Sequence, residues 1–254
     1  MDLAVLDPQN PIFPDPNSAL EDPDGLLAVG GNLQPDTLLS AYYQGIFPWY
    51  NEDDPILWWS PSTRCVIEPN NLHISKSLQK QLRQQTFKVT FNRSFEQVIT
   101  ACAERDFQTD TWINKDMILA YTNLNKLGKA HSVEIWQDEE LVGGAYGLSI
   151  GAIFCGESMF SRQTNASKIA LVYLCRHIAK LGFKLIDCQL ETEHLVSMGA
   201  KAIKRKTFLT QEMLKNKILA TNIVYVTIFH RKNNIKKYIK TLDKVFHDIS
   251  KKKD

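Results

Sequence analysis

The chain has 254 residues, 44% hydrophobic and 23% charged, with a mean hydropathy of −0.25. That is enough apolar surface for a full core, and no run approaches the ~20 apolar residues of a membrane span. Ten prolines and twelve glycines without a low-complexity tract exclude collagen-like and broadly disordered chains. The net charge of +2 hides a gradient: residues 1–63 hold ten Asp or Glu and no Lys or Arg, residues 64–230 hold 21 basic and 15 acidic, and residues 231–254 hold nine basic and three acidic.

Met1 to Asp7 is acidic and lacks the basic start of a secretory signal, so a cytoplasmic location is expected. Residues 7–34 read as a turn-rich segment, and Pro35 and Asp36 open a helix through Leu38, Leu39 and Tyr42 that Gly45 ends. A proline- and aromatic-rich stretch, GIFPWYNEDDPILWWSP, follows with Trp49, Trp58 and Trp59. The charge break at Arg64 predicts a boundary, giving an acidic domain over 1–63, a main domain over 64–232 and a basic extension over 233–254. A polyanion should favour the later segments and a cationic ligand the first. Ser75 caps a helix carrying Leu78 and Leu82, and Val89–Phe91 reads as a short strand. Ser94 with Gln97 reads as a capping box, and Asn114 caps a further helix ended by Gly128.

The period then changes. HSVEIWQ, a turn at Asp138–Glu140, LVGGAYGLSI and AIFCGESMF read as a three-stranded meander, and a glycine cluster inside it marks a bulge or a close backbone approach. A helix over 165–181, a buried strand FKLIDCQ and a short helix from Thr192 to Met198 follow. The order β-β-β-α-β-α predicts an α+β fold with at least one parallel crossover. Residues 233–254 read as a lysine-rich helix with one apolar stripe.

Five widely spaced cysteines without a CxxC pair argue against a disulfide framework or a structural zinc site. The six histidines form no HExxH, and no GxSxG, Walker loop or GxGxxG is present. Two acids stand out. Glu157 is the only charge in FCGESMFS, and Asp187 interrupts the strand LIDCQ, with Gln189 two residues on and on the same strand face. A buried charge is costly unless paired or used. One such acid fits a structural polar network; two, on strands that a crossover helix makes neighbours, point to a site.

The runs GLLAVGGNL, LLSAYYQGIFPWY, DPILWWSP, TWI, LVGGAYG, FCGESMFSR, NASK and LIDCQ occur in one order over roughly residues 12–210, and together the chain resembles the leucyl/phenylalanyl-tRNA–protein transferases. The resemblance implies a small N-terminal domain followed by an acetyltransferase-like (GNAT-type) catalytic domain. It implies transfer of Leu or Phe, with Met a further donor to test, from aminoacyl-tRNA to proteins beginning with Arg or Lys, which marks them for degradation. No cofactor and no membrane partner are implied. Carried over residue by residue, it makes Asp187, Gln189 and Glu157 catalytic, with Asp187 polarising Gln189 through a hydrogen bond. It places Trp49, Trp112 and Tyr121 near the terminal adenosine, and Ala145, Phe154, Met159, Leu171, Leu174, Ile178 and Ile186 around the amino-acid side chain. Ala145, Leu174 and Ile178 are smaller than the Met, Phe and Phe the family can carry, which suggests room for the bulkier Phe. Because SRQTNASK contains no glycine, a coenzyme A pyrophosphate site is not expected before the crossover helix. Lys201, Lys204, Arg205 and Lys206 together with the basic tail form an expected tRNA-backbone surface. A transferase with another donor or acceptor, and a non-catalytic binder of tRNA or basic N-termini, are the other readings of these residues.

Overall fold

Short apolar runs set between turns build a first sheet. In the computed structural model, which describes residues 3–84, 86–104 and 112–209, strands β1 (Ala4–Leu6), β2 (Leu26–Gly30), β3 (Phe47–Pro48) and β4 (Leu57–Trp59) lie in the order β1-β2-β4-β3. The segment read as turns therefore contains a strand, β2. Its five residues sit between Gly25 and Gly31, both at positive φ, so glycine turns frame an element too short to show a period. Trp58 is buried and donates its indole N–H to the Gly30 carbonyl at 2.9 Å. Helix α1 (Pro35–Tyr43) begins on the expected proline and buries Leu38, Ala41 and Tyr42.

A seven-stranded sheet follows. Its strands are β5 (Thr63–Ile67), β6 (Lys88–Phe91), β7 (Ala130–Gln137), β8 (Glu140–Ile150), β9 (Ile153–Ser161), β10 (Leu185–Gln189) and β11 (Lys201–Lys204), in the order β11-β5-β10-β9-β8-β7-β6. Among the described strands of this sheet only β9 and β10 pair in parallel, joined by helix α5 (Ala166–Lys180), so the expected crossover and α+β class are both present. The other helices are α2 (Lys76–Gln84), α3 (Phe95–Ala103), α4 (Lys115–Lys126), α6 (Glu193–Ser197) and α7 (Arg205–Thr207). Asn114 caps α4 and Thr192 caps α6 through their side chains. The capping box at Ser94 is not formed: the Ser94 side chain makes no cap bond, and its backbone N–H goes to the buried carboxylate of Glu134 at 3.3 Å, a partner from β7 that the local sequence does not show.

Alternating side chains give the sheet two apolar faces. One packs α3, α4 and the N-terminal residues Tyr42, Phe47 and Trp58 into a common core with Tyr146 and Leu148. The other packs α5 against Val133, Ala145, Phe154 and Ile186. Close approach explains Gly143, since a Cβ there would stand 2.4 Å from the Ala166 Cβ at the start of α5. The expected basic helix over 233–254 lies outside the described residues.

Candidate active site

The strand β10 breaks its own alternation at the end. Asp187 stands opposite Val66 of β5, but Gln189 stands opposite Cys65, so Cys188 is an extra residue. This bulge, together with a left-handed Gln189 (φ 62°), redirects the chain. Asp187 and Gln189 therefore do not share a strand face as an unbroken pleat would require. Cys188 and Gln189 both line a cavity, and Asp187 lies outside its lining. The Asp187 carboxylate is 1% exposed and meets Arg64, itself 2% exposed, through two bonds: Nε to Oδ1 and Nη2 to Oδ2, each 2.8 Å. Burial alone would depress the Arg64 pKa, but the adjacent Asp187 carboxylate outweighs it and raises it above the ordinary value. The same Oδ1 accepts the backbone N–H of Gln189 at 3.0 Å. Asp187 and Gln189 are thus joined by a hydrogen bond whose donor is the Gln189 backbone N–H.

The Gln189 amide turns instead to β9, where its Nε2 donates to Glu157 Oε1 at 3.0 Å. The other oxygen, Oε2, accepts from the Tyr121 hydroxyl at 3.1 Å, and Tyr121 lies 2.5 Å from the Tyr42 hydroxyl. Burial lifts the Glu157 pKa from its usual range to about 7, opposed by the Tyr42 and Tyr121 hydroxyls and reinforced by Asp187. Glu157 keeps partial exposure because it opens on the cavity while protein surrounds it elsewhere. Burial first, and the Glu157 charge second, hold both phenols well above the ordinary tyrosine value. The arrangement is a carboxylate poised near neutrality, flanked by an oriented amide.

The cavity has a volume of about 580 Å³. Of the residues expected around an amino-acid side chain, Ala145, Phe154, Met159, Leu171, Leu174 and Ile186 line it; Ile178, one turn beyond Leu174 on α5, is packed in the core instead. Trp49 and Trp112 also line it, and Trp49 is 41% exposed and held by Trp59, whose indole N–H donates to the Trp49 carbonyl at 2.6 Å. Tyr121 does not line it; its hydroxyl donates to Glu157, which does. Sequence reasoning missed Arg64, Tyr42, Phe47 and His194, the last two also lining the cavity. The signal for Arg64 was present, as the first base after 63 residues without one, but it reads equally as a domain boundary.

The four basic residues after α6 do not form one cluster of equal standing. Lys201, Lys204 and Lys206 are exposed, Lys201 lying 3.8 Å from Glu68, whereas Arg205 is half-buried and donates to the Ser60 carbonyl. Among the described residues no group of three or more His, Cys, Asp or Glu is arranged to hold a metal ion, and no helix is long and apolar enough to cross a membrane.

Residues 66–213 match the family described as leucyl/phenylalanyl-tRNA protein transferase, and residues 31–62 match the N-terminal domain of the same family. A protein of Shewanella piezotolerans named leucyl/phenylalanyl-tRNA–protein transferase is 56% identical over 82% of this chain and 89% of its own length. One of the same name from Shewanella baltica is 54% identical over 82% of this chain and 88% of its own. Among solved structures, a GCN5-related N-acetyltransferase from Kribbella flavida aligns at 12% identity and a TM-score of 0.37, over 66% of this chain and 62% of that one. With both family segments matched in order and more than half of the aligned residues identical to relatives that align over 82% of this chain, the chain belongs to the leucyl/phenylalanyl-tRNA–protein transferase family.

Proposed function

We propose that the cavity receives the aminoacyl end of Leu-tRNA or Phe-tRNA, and that Gln189 and Glu157 hold the acceptor's amino group against the ester carbonyl. The chain is an aminoacyltransferase, moving Leu or Phe from aminoacyl-tRNA to the N-terminal amine of a protein that begins with Arg or Lys. The observation that carries the site assignment is the cavity itself, with apolar walls ending at the Gln189–Glu157 pair. Ala145, Phe154, Met159, Leu171, Leu174 and Ile186 suit an apolar amino-acid side chain, and Trp49 and Trp112 offer faces on which the terminal adenine stacks.

The chemistry asks little of the protein beyond placement. An N-terminal ammonium has a pKa near ~8 and must lose one proton before it attacks. Glu157, raised to about 7, is matched to take it. The amine nitrogen then bonds to the carbonyl carbon, the bond from that carbon to the ribose oxygen breaks, and the second amine proton passes to the departing oxygen. Gln189 is too weak a base to accept a proton; with Nε2 committed to Glu157, its Oε1 accepts a hydrogen bond from the amine and aims it. Asp187 acts at one remove, through the Gln189 backbone. The acidic loop Glu52–Asp54, which leaves the cavity wall at Trp49, supplies negative charge for an Arg or Lys acceptor. Lys201, Lys204 and Lys206 are exposed in the segment after α6 and suit phosphates of the acceptor stem, and residues 1–63 and 64–232 are read as the acidic and catalytic domains. The product carries an apolar N-terminal residue, the mark for degradation, in the cytoplasm.

The test is transfer of labelled Leu, Phe and Met from tRNA to a peptide beginning with Arg, beside one beginning with Ala. Transfer of Leu and Phe to the Arg peptide alone is expected. Equal transfer to both peptides, or none to either, overturns the acceptor assignment.

A further inference from the structure

Resting on the reading of Asp187 and Gln189 as site residues, we propose that Arg64 is a positioning residue of the transfer reaction: its guanidinium holds the Asp187 carboxylate in the orientation that captures the Gln189 backbone N–H, and so fixes the turn that presents the Gln189 amide to Glu157.

Four observations carry this. First, Asp187 Oδ1 is shared: it accepts Arg64 Nε at 2.8 Å and the Gln189 N–H at 3.0 Å, so a rotation of the carboxylate that loses one bond disturbs the other. Second, Gln189 is a non-glycine residue at φ 62°, a conformation an L side chain holds only when its surroundings impose it, and an aspartate that accepts the N–H two residues on is a local device for imposing it. Third, the pair is buried, at 2% and 1% exposure, where an ion pair is tolerated only with good geometry and satisfied lone pairs; the two-pronged contact meets that condition. Fourth, the guanidinium lies 4.8 Å from the Phe47 ring centre and 5.0 Å from that of Phe208. A planar, delocalised cation fits between two rings while offering two parallel N–H groups; a lysine ammonium does neither. Phe47 also lines the cavity, so Arg64 joins the cavity wall to the strand that carries Gln189.

A merely structural ion pair would lower stability when broken and leave the chemistry of surviving molecules alone. A positioning role moves kcat and the acid limb of the pH profile. Glu157 faces Tyr42 from α1, Tyr121 from α4, Asp187 from β10, Arg64 from β5 and Cys155 from its own strand. Arg64 draws its pKa down and Asp187 pushes it up, so neutralising Arg64 alone leaves Asp187 unopposed.

The experiment uses the full chain, Leu-tRNA and an Arg-starting peptide, with kcat and KM measured from about pH 5.5 to 9, a range that brackets both the carboxylate and the amine. Arg64→Lys, folded by its cooperative melt, is expected to lose roughly tenfold to a hundredfold in kcat with KM for Leu-tRNA within about twofold, as small misplacements of reacting groups do. Arg64→Gln should move the acid limb to higher pH, and Arg64→Gln combined with Asp187→Asn, which removes both charges, should bring it back. The losses in kcat should be less than additive, because both changes act on one contact. If Arg64→Lys and Arg64→Gln keep wild-type kcat and pH profile while Asp187→Asn and Gln189→Ala are slow, Arg64 has no positioning role and the site reading stands. Wild-type turnover by Asp187→Asn and by Gln189→Ala overturns the reading beneath it. Should Arg64→Gln fail to fold, Arg64→Lys decides: an unchanged kcat overturns the proposal, and a slow kcat at unchanged KM supports it.

Discussion

Glu157 sits in surroundings that burial and two tyrosine hydroxyls define. Its pKa is about 7 in the fold and near the ordinary carboxylate value when unfolded. A raised carboxylate pKa means that the folded state binds the proton more tightly. Its contribution to stability is therefore complete below the unfolded value and is lost as pH rises through about 7. Glu157→Gln removes this dependence. The variant should be more stable than the parent by about 2 kcal/mol at pH 8 and near-equal at pH 5, while losing most of its transfer activity. Thermal melts at the two pH values check the first part; parallel pH dependence of parent and variant would refute it. Ala145 sits in the cavity wall opposite Met159 in the β8–β9 pairing. Ala145→Met should fill the cavity and shift the kcat/KM ratio toward Leu over Phe by roughly tenfold, the scale of steric discrimination in an apolar pocket. A ratio unchanged in side-by-side assays would mean that Ala145 does not bound the side-chain pocket. Glu157 and Asp187 could be read from the chain because each is a lone charge in an apolar run. Arg64 could be read only as a break in charge, because the partner that gives it a role is 123 residues away.

At the scale of elements, what could be read was what has a period. The meander, α5 and the crossover to β10 all declare themselves by length and alternation. The N-terminal strands do not, since none exceeds five residues and β3 is Phe-Pro. The bulge at Cys188 was equally hidden, because it depends on the register of β5, a strand distant in sequence. The glycines of β8 were read as marking close approach, and Gly143 against Ala166 is such a place. Gly143→Ala should force the start of α5 away from the sheet at a cost of about 1–3 kcal/mol, measured by denaturant unfolding. Because Leu171 and Leu174 of α5 also line the cavity, KM for aminoacyl-tRNA should rise in the same variant. A full-stability Gly143→Ala protein would show that α5 accommodates the methyl without moving.

For the molecule as a whole, the acidic first 63 residues and the catalytic sheet share one apolar core. The step in charge at Arg64 therefore falls within a single packed body rather than between tethered modules. Transfer to an Arg-starting peptide should weaken as salt rises even at saturating aminoacyl-tRNA, with KM for the peptide rising several-fold between roughly 50 and 200 mM salt as the screening length shortens. A flat response would remove the acidic segment from acceptor recognition. The hydroxyl series behind Glu157 has a consequence for timing. Tyr121 and Tyr42 lead from the carboxylate into the core, and both are buried. Among the described residues, the hydroxyls behind Glu157 belong to buried side chains, and in front of it stands the substrate. The discharge of a proton lodged on Glu157 waits for the cavity to empty. In a weakly buffered single turnover with an indicator dye, acid should appear in solution with the departure of deacylated tRNA, after the peptide bond has formed; acid that appears together with the bond would show that Glu157 does not hold the proton.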